Sequence, residues 1–203
     1  MAHVEPLSKD EAVAAVPELG AAVENMEAKF GFVPNSIRTM ARRPEMIPGY
    51  MAFQKGVMGP GKVPFELKKL VSHIASKAAG CAYSQAHSMY TSERSGISAE
   101  RLEALWDYQT SDLFTEAERA ALDFAAAAAA VPNEVTAETH ARLGAHYDDA
   151  QIVEILAVIS FFGFLNRWNN SMATELEEPA ATFTASLLGD KGWEVGKHGP
   201  AST

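Results

Sequence analysis

Apolar residues recur every three or four positions along most of the chain, which is the spacing of helices that bury one face. The stripe is clearest in Leu67, Leu70, Val71, Ile74 and Ala78, and no stretch alternates convincingly in the manner of a strand. Glycine, proline and capping residues divide the pattern into helices over 8–30, 36–43, 46–57, 64–79, 81–95, 98 onward, 115–131, 136–146 and 148–170. The pattern predicts an all-α fold of about eight or nine helices, with an extended tail from residue 178.

Two further features bear on this fold. Ser8 with Glu11, and Thr115 with Glu118, have the spacing of a capping box, and Ser98 begins a helix with an acidic first turn. In addition, residues 65–83 and 150–168 resemble one another, since both are apolar-striped helices that run into a glycine and a polar turn. We therefore expect a single domain over residues 1–203, built on a duplicated helical hairpin.

The composition of the chain limits which partners it can bind and which cellular compartment it suits. The chain of 203 residues has a formal net charge of −9, which argues against nucleic acids and anionic membranes as partners. The apolar run 152–165 is too short to span a membrane and contains Glu154, and the first ten residues are too polar for a signal peptide. One cysteine cannot form an internal disulfide, which suits a reducing compartment, so we expect a cytoplasmic protein.

The only cysteine, Cys81, lies in a pattern typical of thiol chemistry. Gly80 ends one helix and Cys81 begins the next, where the helix dipole and free N–H groups favour a thiolate. Ser84 and His87 follow at intervals of one turn on the same face. We therefore expect a thiol pKa on the order of 5–7, with His87 as proton acceptor or relay. The alternatives are a buried, unreactive cysteine and a serine bonded to its own backbone.

A second polar stripe lies on the preceding predicted helix, where Glu66, Lys69, His73 and Lys77 share one face. Such a stripe is most often solvated. If it instead packs against the helix of Cys81, Lys69 and His73 border the thiol, and the ammonium stabilises a thiolate or an anionic substrate.

Other chemistries have less support. Arg167 follows an aromatic run and is either a favourable charge near a helix C-terminus or an anchor for a carboxylate or a partner chain. No pair of histidines has metal-ligand spacing, and no Gly-X-Ser-X-Gly elbow is present. We therefore expect neither a metal nor another cofactor.

The chain resembles the carboxymuconolactone decarboxylase superfamily, in its alkyl hydroperoxidase D-like, peroxidase-related branch. The resemblance covers nearly the whole chain and rests on Phe32-Val33-Pro34-Asn35, residues 75–87, residues 163–168, Gly192-Trp193 and Gly196-Lys197-His198. It implies an all-α fold that assembles as homotrimers or homohexamers. Its peroxidases carry a Cys-X-X-Cys pair, a histidine on the same helix, and a glutamate twelve residues before the first cysteine.

Two of these functional positions differ here. By the resemblance, Cys81 matches the first cysteine and His87 the histidine, whereas Ser84 replaces the second cysteine and Lys69 the glutamate. Glu66, one turn earlier, is a partial substitute for that glutamate. Since Ser84 cannot close a disulfide, the two-cysteine peroxidase mechanism is excluded.

Three hypotheses follow for the function. The leading one is an antioxidant oxidoreductase in which Cys81, assisted by His87, reduces a hydroperoxide and is restored by an external thiol. The second is a redox-free lyase, decarboxylase or isomerase acting on a small carboxylate, with His87 as base and Lys69 as electrostatic clamp. The third is a binding protein that kept the fold without catalysis. For substrate contacts we expect His73, Tyr83 and Arg167.

Overall fold

The computed structural model describes residues 2–200, and these residues form helices and no strand. The α-helices are α1 Lys9–Ala15, α2 Gly20–Phe30, α3 Asn35–Met40, α4 Met46–Met58, α5 Phe65–Ala78, α6 Ala82–Glu93, α7 Ala99–Ala104, α8 Glu116–Ala129, α9 Ala137–Gly144, α10 Asp149–Met172 and α11 Glu178–Leu188. Four short 3₁₀ turns cover Pro17–Leu19, Leu105–Asp107, Gly189–Lys191 and Gly196–His198. The predicted all-α class is confirmed, with more helices than expected.

The first predicted helix, 8–30, is two helices. Val16 leaves helical geometry, with φ −137° and ψ 85°, and Pro17 begins a 3₁₀ turn before α2 starts at Gly20. A proline has no N–H to continue an α-helical ladder and clashes with the preceding turn, which accounts for the break. The capping box at Ser8 and Glu11 is present at the start of α1.

The extended tail predicted from residue 178 is wrong over its first half, because that stretch is α11. The helix starts with Pro179 in its first turn, a position that suits proline, and it buries Ala180, Thr184 and Leu188 at intervals of four residues. The glycines that suggested an extended tail begin only at Gly189. This helix packs against α6 and therefore helps to form the site.

Helix α5 is the centre of the fold and packs against α6, α8 and α10. Its residues from Leu67 to Ser76 are buried, so Lys69 and His73 of the polar stripe do not lie on a solvated face. The larger apolar cluster surrounds α5, and a second one joins α1, α2, α3 and the start of α4. Tyr50 and Leu165 pack against both clusters. The N-terminal helices are thereby held against one side of the central helices.

Helix α10 is, among the described residues, the one helix long and apolar enough to cross a membrane. It packs against α4, α5, α6 and α8 and buries Ile155, Val158, Ile159 and Phe161. One face of α10 is therefore part of the hydrophobic core. Gly163 lies inside α10, so the helix does not turn there as the internal resemblance suggests. The duplication stays a prediction.

Candidate active site

Cys81 lies at the turn between α5 and α6. Gly80 has a φ of +61°, a conformation that favours glycine, and Cys81 then caps α6 with φ −103° and ψ 94°. The cysteine is completely buried, at 0% exposure, and Sγ donates a hydrogen bond to Ser84 Oγ at 3.3 Å. Asn169 of α10 donates to the same oxygen at 3.4 Å. The structure thus brings Cys81 and Ser84 into contact, as their spacing predicts.

Burial raises the pKa of the Cys81 thiol, and this overturns the predicted depressed value. The hydroxyl and backbone N–H of Ser84 and the distant charge of Lys197 favour the thiolate, but they only partly offset desolvation. The helix N-terminus is present as expected. It does not suffice for a thiol with no solvent contact, so the resting form of Cys81 near neutral pH is the thiol.

His87 has a carboxylate partner that sequence reasoning missed, Glu177. His87 Nε2 donates to Glu177 Oε2 at 2.5 Å, and the imidazole stacks on the ring of Tyr83 with centroids 4.3 Å apart. Phe32 packs edge-on against the imidazole, with ring centroids 5.4 Å apart. These contacts fix the ring orientation, and Nδ1 has no hydrogen-bond partner among residues 2–200. That nitrogen is therefore free to exchange a proton with a bound molecule.

Glu177 lies just before α11 and is 9% exposed at its side chain. Its Oε1 accepts from the backbone N–H of Asn35 at 2.5 Å and from the hydroxyl of Tyr83 at 3.1 Å. Burial works to raise the pKa of this carboxyl, but the charge and hydrogen bond of His87 and the Asn35 N–H outweigh it and hold the pKa below its usual range. Glu177 is therefore an ionised partner that orients His87. No local sequence pattern marks it, since it lies 90 residues from the histidine.

Lys69 is also buried at the site, with 7% exposure. Its Nζ donates to Thr91 Oγ1 at 2.5 Å, and Thr91 in turn donates to the carbonyl of His87 at 2.6 Å. Burial, reinforced by the charge of Lys29, lowers the pKa of Lys69 to about 7. The predicted electrostatic clamp is thus an amine that carries its charge only part of the time at neutral pH.

The site opens into a cavity of about 340 Å³ enclosed by α2 to α6 and α10. Aromatic side chains form much of its wall: Phe30, Phe32, Tyr50, Phe65, Phe161 and Phe162. The polar side chains on the wall include Lys69, Tyr83, Ser84, His87 and Thr91. Cys81 lies behind Ser84. A volume of this order suits one small, largely apolar molecule.

A second cavity, of about 710 Å³, lies beside α11 and the C-terminal turns. Glu177 lines it, together with Glu175, Glu178, Trp193 and Glu194. Since Glu177 also bonds His87, which lines the first cavity, the ion pair connects the walls of both.

Besides Cys81, which lies behind Ser84, three predicted residues do not lie in the first cavity. Glu66 is half exposed and pairs with Arg101 at 2.8 Å, so it does not replace the missing glutamate. Arg167 is exposed on α10, beside a shallow surface depression. His73 is buried behind the wall, with Nδ1 2.9 Å from Ser88 Oγ, and burial lowers its pKa to about 4. Helical spacing placed Glu66 and His73 on a shared face of α5, but it did not place them at the cavity.

Among residues 2–200 no three His, Cys, Asp or Glu side chains are arranged to hold a metal ion. The reactive groups at the site are the thiol of Cys81, the imidazole–carboxylate pair and the amine of Lys69.

Comparison with known proteins gives a consistent result. Residues 44–127 match the profile of the carboxymuconolactone decarboxylase family. The uncharacterized protein YnjA of Escherichia coli (strain K12) is 30% identical over 150 residues, which cover 70% of this chain and 79% of YnjA. The apo debrominase Bmp8 superposes with a TM-score of 0.83 at 34% identity, covering 91% of this chain and 97% of Bmp8.

Two further solved structures are informative. One is a Bmp8 variant with a cysteine changed to alanine, in complex with 2,3,4-tribromopyrrole. It matches at 33% identity with a TM-score of 0.83, covering 91% of this chain and 96% of Bmp8. The other is a peroxidase-related protein with an alkylhydroperoxidase AhpD core from Ralstonia eutropha JMP134. It matches at 23% identity and a TM-score of 0.73, over 85% of this chain and 91% of its own, and shows the shared fold.

Proposed function

We infer, since the chain belongs to the carboxymuconolactone decarboxylase family, that it is a cysteine-dependent reductase of a small aromatic molecule. One observation carries the proposal: the Cys81 thiol contacts Ser84 in the wall of an aromatic cavity that also holds the His87–Glu177 pair. A thiol supplies two electrons, and the imidazole supplies the proton that the reduced product needs.

The best supported reaction is reductive removal of a halogen from a heteroaromatic ring. The proton of the Cys81 thiol passes to His87, and the resulting thiolate bonds to the halogen. The carbon–halogen bond breaks with its electron pair on carbon, and the proton held by His87 gives the carbon–hydrogen bond. One external thiol then displaces halide from the sulfur to form a mixed disulfide. A second thiol releases Cys81 and leaves as the oxidised disulfide. The sum is aryl halide and two thiols giving arene, disulfide and hydrogen halide.

Two features favour this substrate class. The cavity is small and its wall is mostly aromatic, which suits a flat ring by stacking and edge contacts. The chain is also about one-third identical, over almost the whole of Bmp8, to a debrominase whose complex holds a tribromopyrrole. Transfer of that substrate class to this chain is our proposal.

The second candidate is reduction of a hydroperoxide by the single cysteine. Here the Cys81 thiolate attacks the outer peroxide oxygen, the O–O bond breaks, and the departing alkoxide takes a proton from His87. The product is a sulfenic acid, which an external thiol converts to a mixed disulfide with loss of water. The Ser84 hydroxyl, 3.3 Å from the sulfur, favours this candidate because it can hydrogen-bond the sulfenic oxygen.

A redox-free lyase, decarboxylase or isomerase keeps the cavity but not the thiol. It has less support, because Lys69 is not a permanent cation. A binding protein without turnover is the remaining alternative.

The proposal is tested by supplying dithiothreitol with either 2,3,4-tribromopyrrole or cumene hydroperoxide and measuring bromide, dibromopyrrole and alcohol. Wild type is compared with Cys81→Ser, His87→Ala and the surface control Ser186→Ala, which changes an exposed serine of α11. We expect bromide and dibromopyrrole from wild type and the control, none from Cys81→Ser, and a loss of at least tenfold in His87→Ala. Turnover of the peroxide alone would favour the second candidate. Activity that survives Cys81→Ser would contradict both.

Oligomeric state is part of the same proposal. We propose a homotrimer or homohexamer, since Phe53, Val153, Leu156 and Phe164 expose apolar surface on the neighbouring helices α4 and α10. Light scattering coupled to size-exclusion chromatography measures the mass, and a monomer would contradict it.

A further inference from the structure

The second chemically unusual group in the cavity is the amine of Lys69. We propose that Lys69 is a covalent binding site for small aromatic aldehydes, which it captures as imines inside the cavity. The proposal is independent of Cys81 and of the reductase activity, because it uses a different nucleophile.

The argument starts from the contrast between Lys69 and its neighbour Lys68. Lys68 is 1% exposed, and its ammonium pairs with Glu154 at 2.5 Å and donates to the carbonyls of Val57 and Gly59. It is therefore a fully partnered structural cation. Lys69 is almost as buried but has no carboxylate within 4.0 Å among residues 2–200, and its one hydrogen bond goes to Thr91 Oγ1. Burial without a countercharge favours the neutral amine.

The Thr91 contact leaves that amine available for reaction. Thr91 gives its hydroxyl proton to the His87 carbonyl, so its oxygen accepts from Lys69 Nζ. A neutral amine makes this bond with one N–H and keeps its lone pair for an electrophile. Lys69 lines the cavity, so an electrophile held there reaches the nitrogen. A buried lysine that is neutral near pH 7 is the usual form of an imine-forming amine.

The charges that face Lys69 act in the same direction. Lys29 on α2 and His73, which lies on α5 like Lys69, carry either positive or no charge, and His87 on α6 has its own carboxylate. The cavity walls from α4 and α10 contribute aromatic and amide side chains, with Tyr50 neutral because burial raises its pKa. These surroundings hold the pKa of Lys69 at about 7, so about half of the amines are neutral at that pH.

The reaction balances without a redox partner. The Lys69 amine adds to the aldehyde carbonyl, the carbinolamine loses water, and the product is a C=N bond between lysine and substrate. His87, which lines the same cavity, is placed to protonate the departing hydroxyl. Aromatic walls favour an aromatic aldehyde over a charged or strongly hydrated one. The ligand class is therefore an uncharged aldehyde of one ring.

The test uses the intact protein with benzaldehyde at pH 7, followed by borohydride, which reduces the imine to a stable benzylamine. Intact mass counts the adducts, and peptide mapping locates them. An ordinary lysine is about one part in 2,500 neutral at this pH, so the neutral fraction of Lys69 is larger by on the order of a thousandfold. We expect one benzyl group per chain, on Lys69, at least a hundredfold faster than on the exposed Lys55.

Two variants complete the test. Lys69→Met keeps the length and apolar stem of the side chain and removes the amine, so labelling should stop. Lys77→Met, on the same helix, changes a lysine that lies over the ring of Trp106 outside the cavity, and labelling of Lys69 should persist. A wild-type map with Lys69 unmodified, or with label spread over surface lysines, would overturn the proposal whatever the variants do. Since cysteine plays no part, Cys81→Ser should label normally.

Discussion

Replacing Glu177 by alanine removes the acceptor shared by three hydrogen-bond donors from α6 and α3. The carboxylate accepts from His87 on α6, from the Tyr83 hydroxyl on the same helix, and from the Asn35 N–H at the start of α3. In Glu177→Ala these three donors have no partner. An unpaired buried donor costs about 1–3 kcal/mol, and breaking one side of a buried ion pair costs about 3–5 kcal/mol.

We expect Glu177→Ala to lower the free energy of unfolding by about 3–5 kcal/mol. For a chain of this length each kcal/mol shifts Tm by about 2–4 °C, so the fall is roughly 6–20 °C. Urea unfolding followed by circular dichroism at pH 7 measures it. Glu177→Gln keeps an oxygen acceptor and should lose less. The matched control is Glu178→Ala, an exposed neighbour expected to change stability by no more than about 1 kcal/mol.

The pH dependence of the same measurement has a definite sign. Because the pKa of folded Glu177 lies below its unfolded value, this carboxylate contributes its stability fully above the unfolded pKa. The contribution is lost as the pH falls through the folded pKa. The gap between wild type and Glu177→Ala should therefore narrow as the solution is acidified below about pH 4.5. A Glu177→Ala protein within 1 kcal/mol of wild type at pH 7, and no less stable than Glu178→Ala, would refute the reasoning.

Two further predictions concern the thiol and the end of α10. Because burial raises the pKa of the Cys81 thiol, we expect the rate of its alkylation by iodoacetamide to keep rising above about pH 8.5. Ser84→Ala should slow the alkylation further, since it removes a hydrogen bond that favours the thiolate. An alkylation rate that reaches a plateau below about pH 8 would contradict this prediction. Ala173 ends α10 with φ +46°, a conformation that favours glycine, so Ala173→Gly should raise the free energy of unfolding by about 0.5–1 kcal/mol. Gly31 has φ +81°, so Gly31→Ala should lower the free energy of unfolding. Thermal unfolding measures both shifts, and shifts of the same sign would show that backbone strain is not the cause.

Periodicity and capping were sufficient to predict most of the helices. The apolar stripe of α5, the capping box at Thr115 and Glu118, and the start of α6 at Cys81 are all present. These are local properties, fixed by residues within a few positions of one another. For the same reason the contact of Cys81 with Ser84 followed from their spacing.

The rest of the site depends on parts of the chain that are distant in sequence. Glu66 was the predicted substitute for the missing glutamate because it lies one helical turn before Lys69, a relation that the sequence shows. The carboxylate that pairs with His87 is instead Glu177, just before α11. The pKa of Cys81 depends on how completely neighbouring helices exclude water, and no local pattern reports that. The glycines from Gly189 onward led to the prediction of an extended tail, although they begin only after α11 has ended at Leu188.

The position of Glu177 also affects how relatives of this chain should be sorted. The family profile covers residues 44–127, so Cys81 and His87 lie inside it and the carboxylate that orients His87 lies outside. Two chains can therefore share the family signature and still differ in whether their histidine has an acid partner. A glutamate just before the last long helix, with a following proline to start that helix, is the trait that would separate them. Classifying the superfamily by this C-terminal trait would group its members by proton chemistry and not by scaffold.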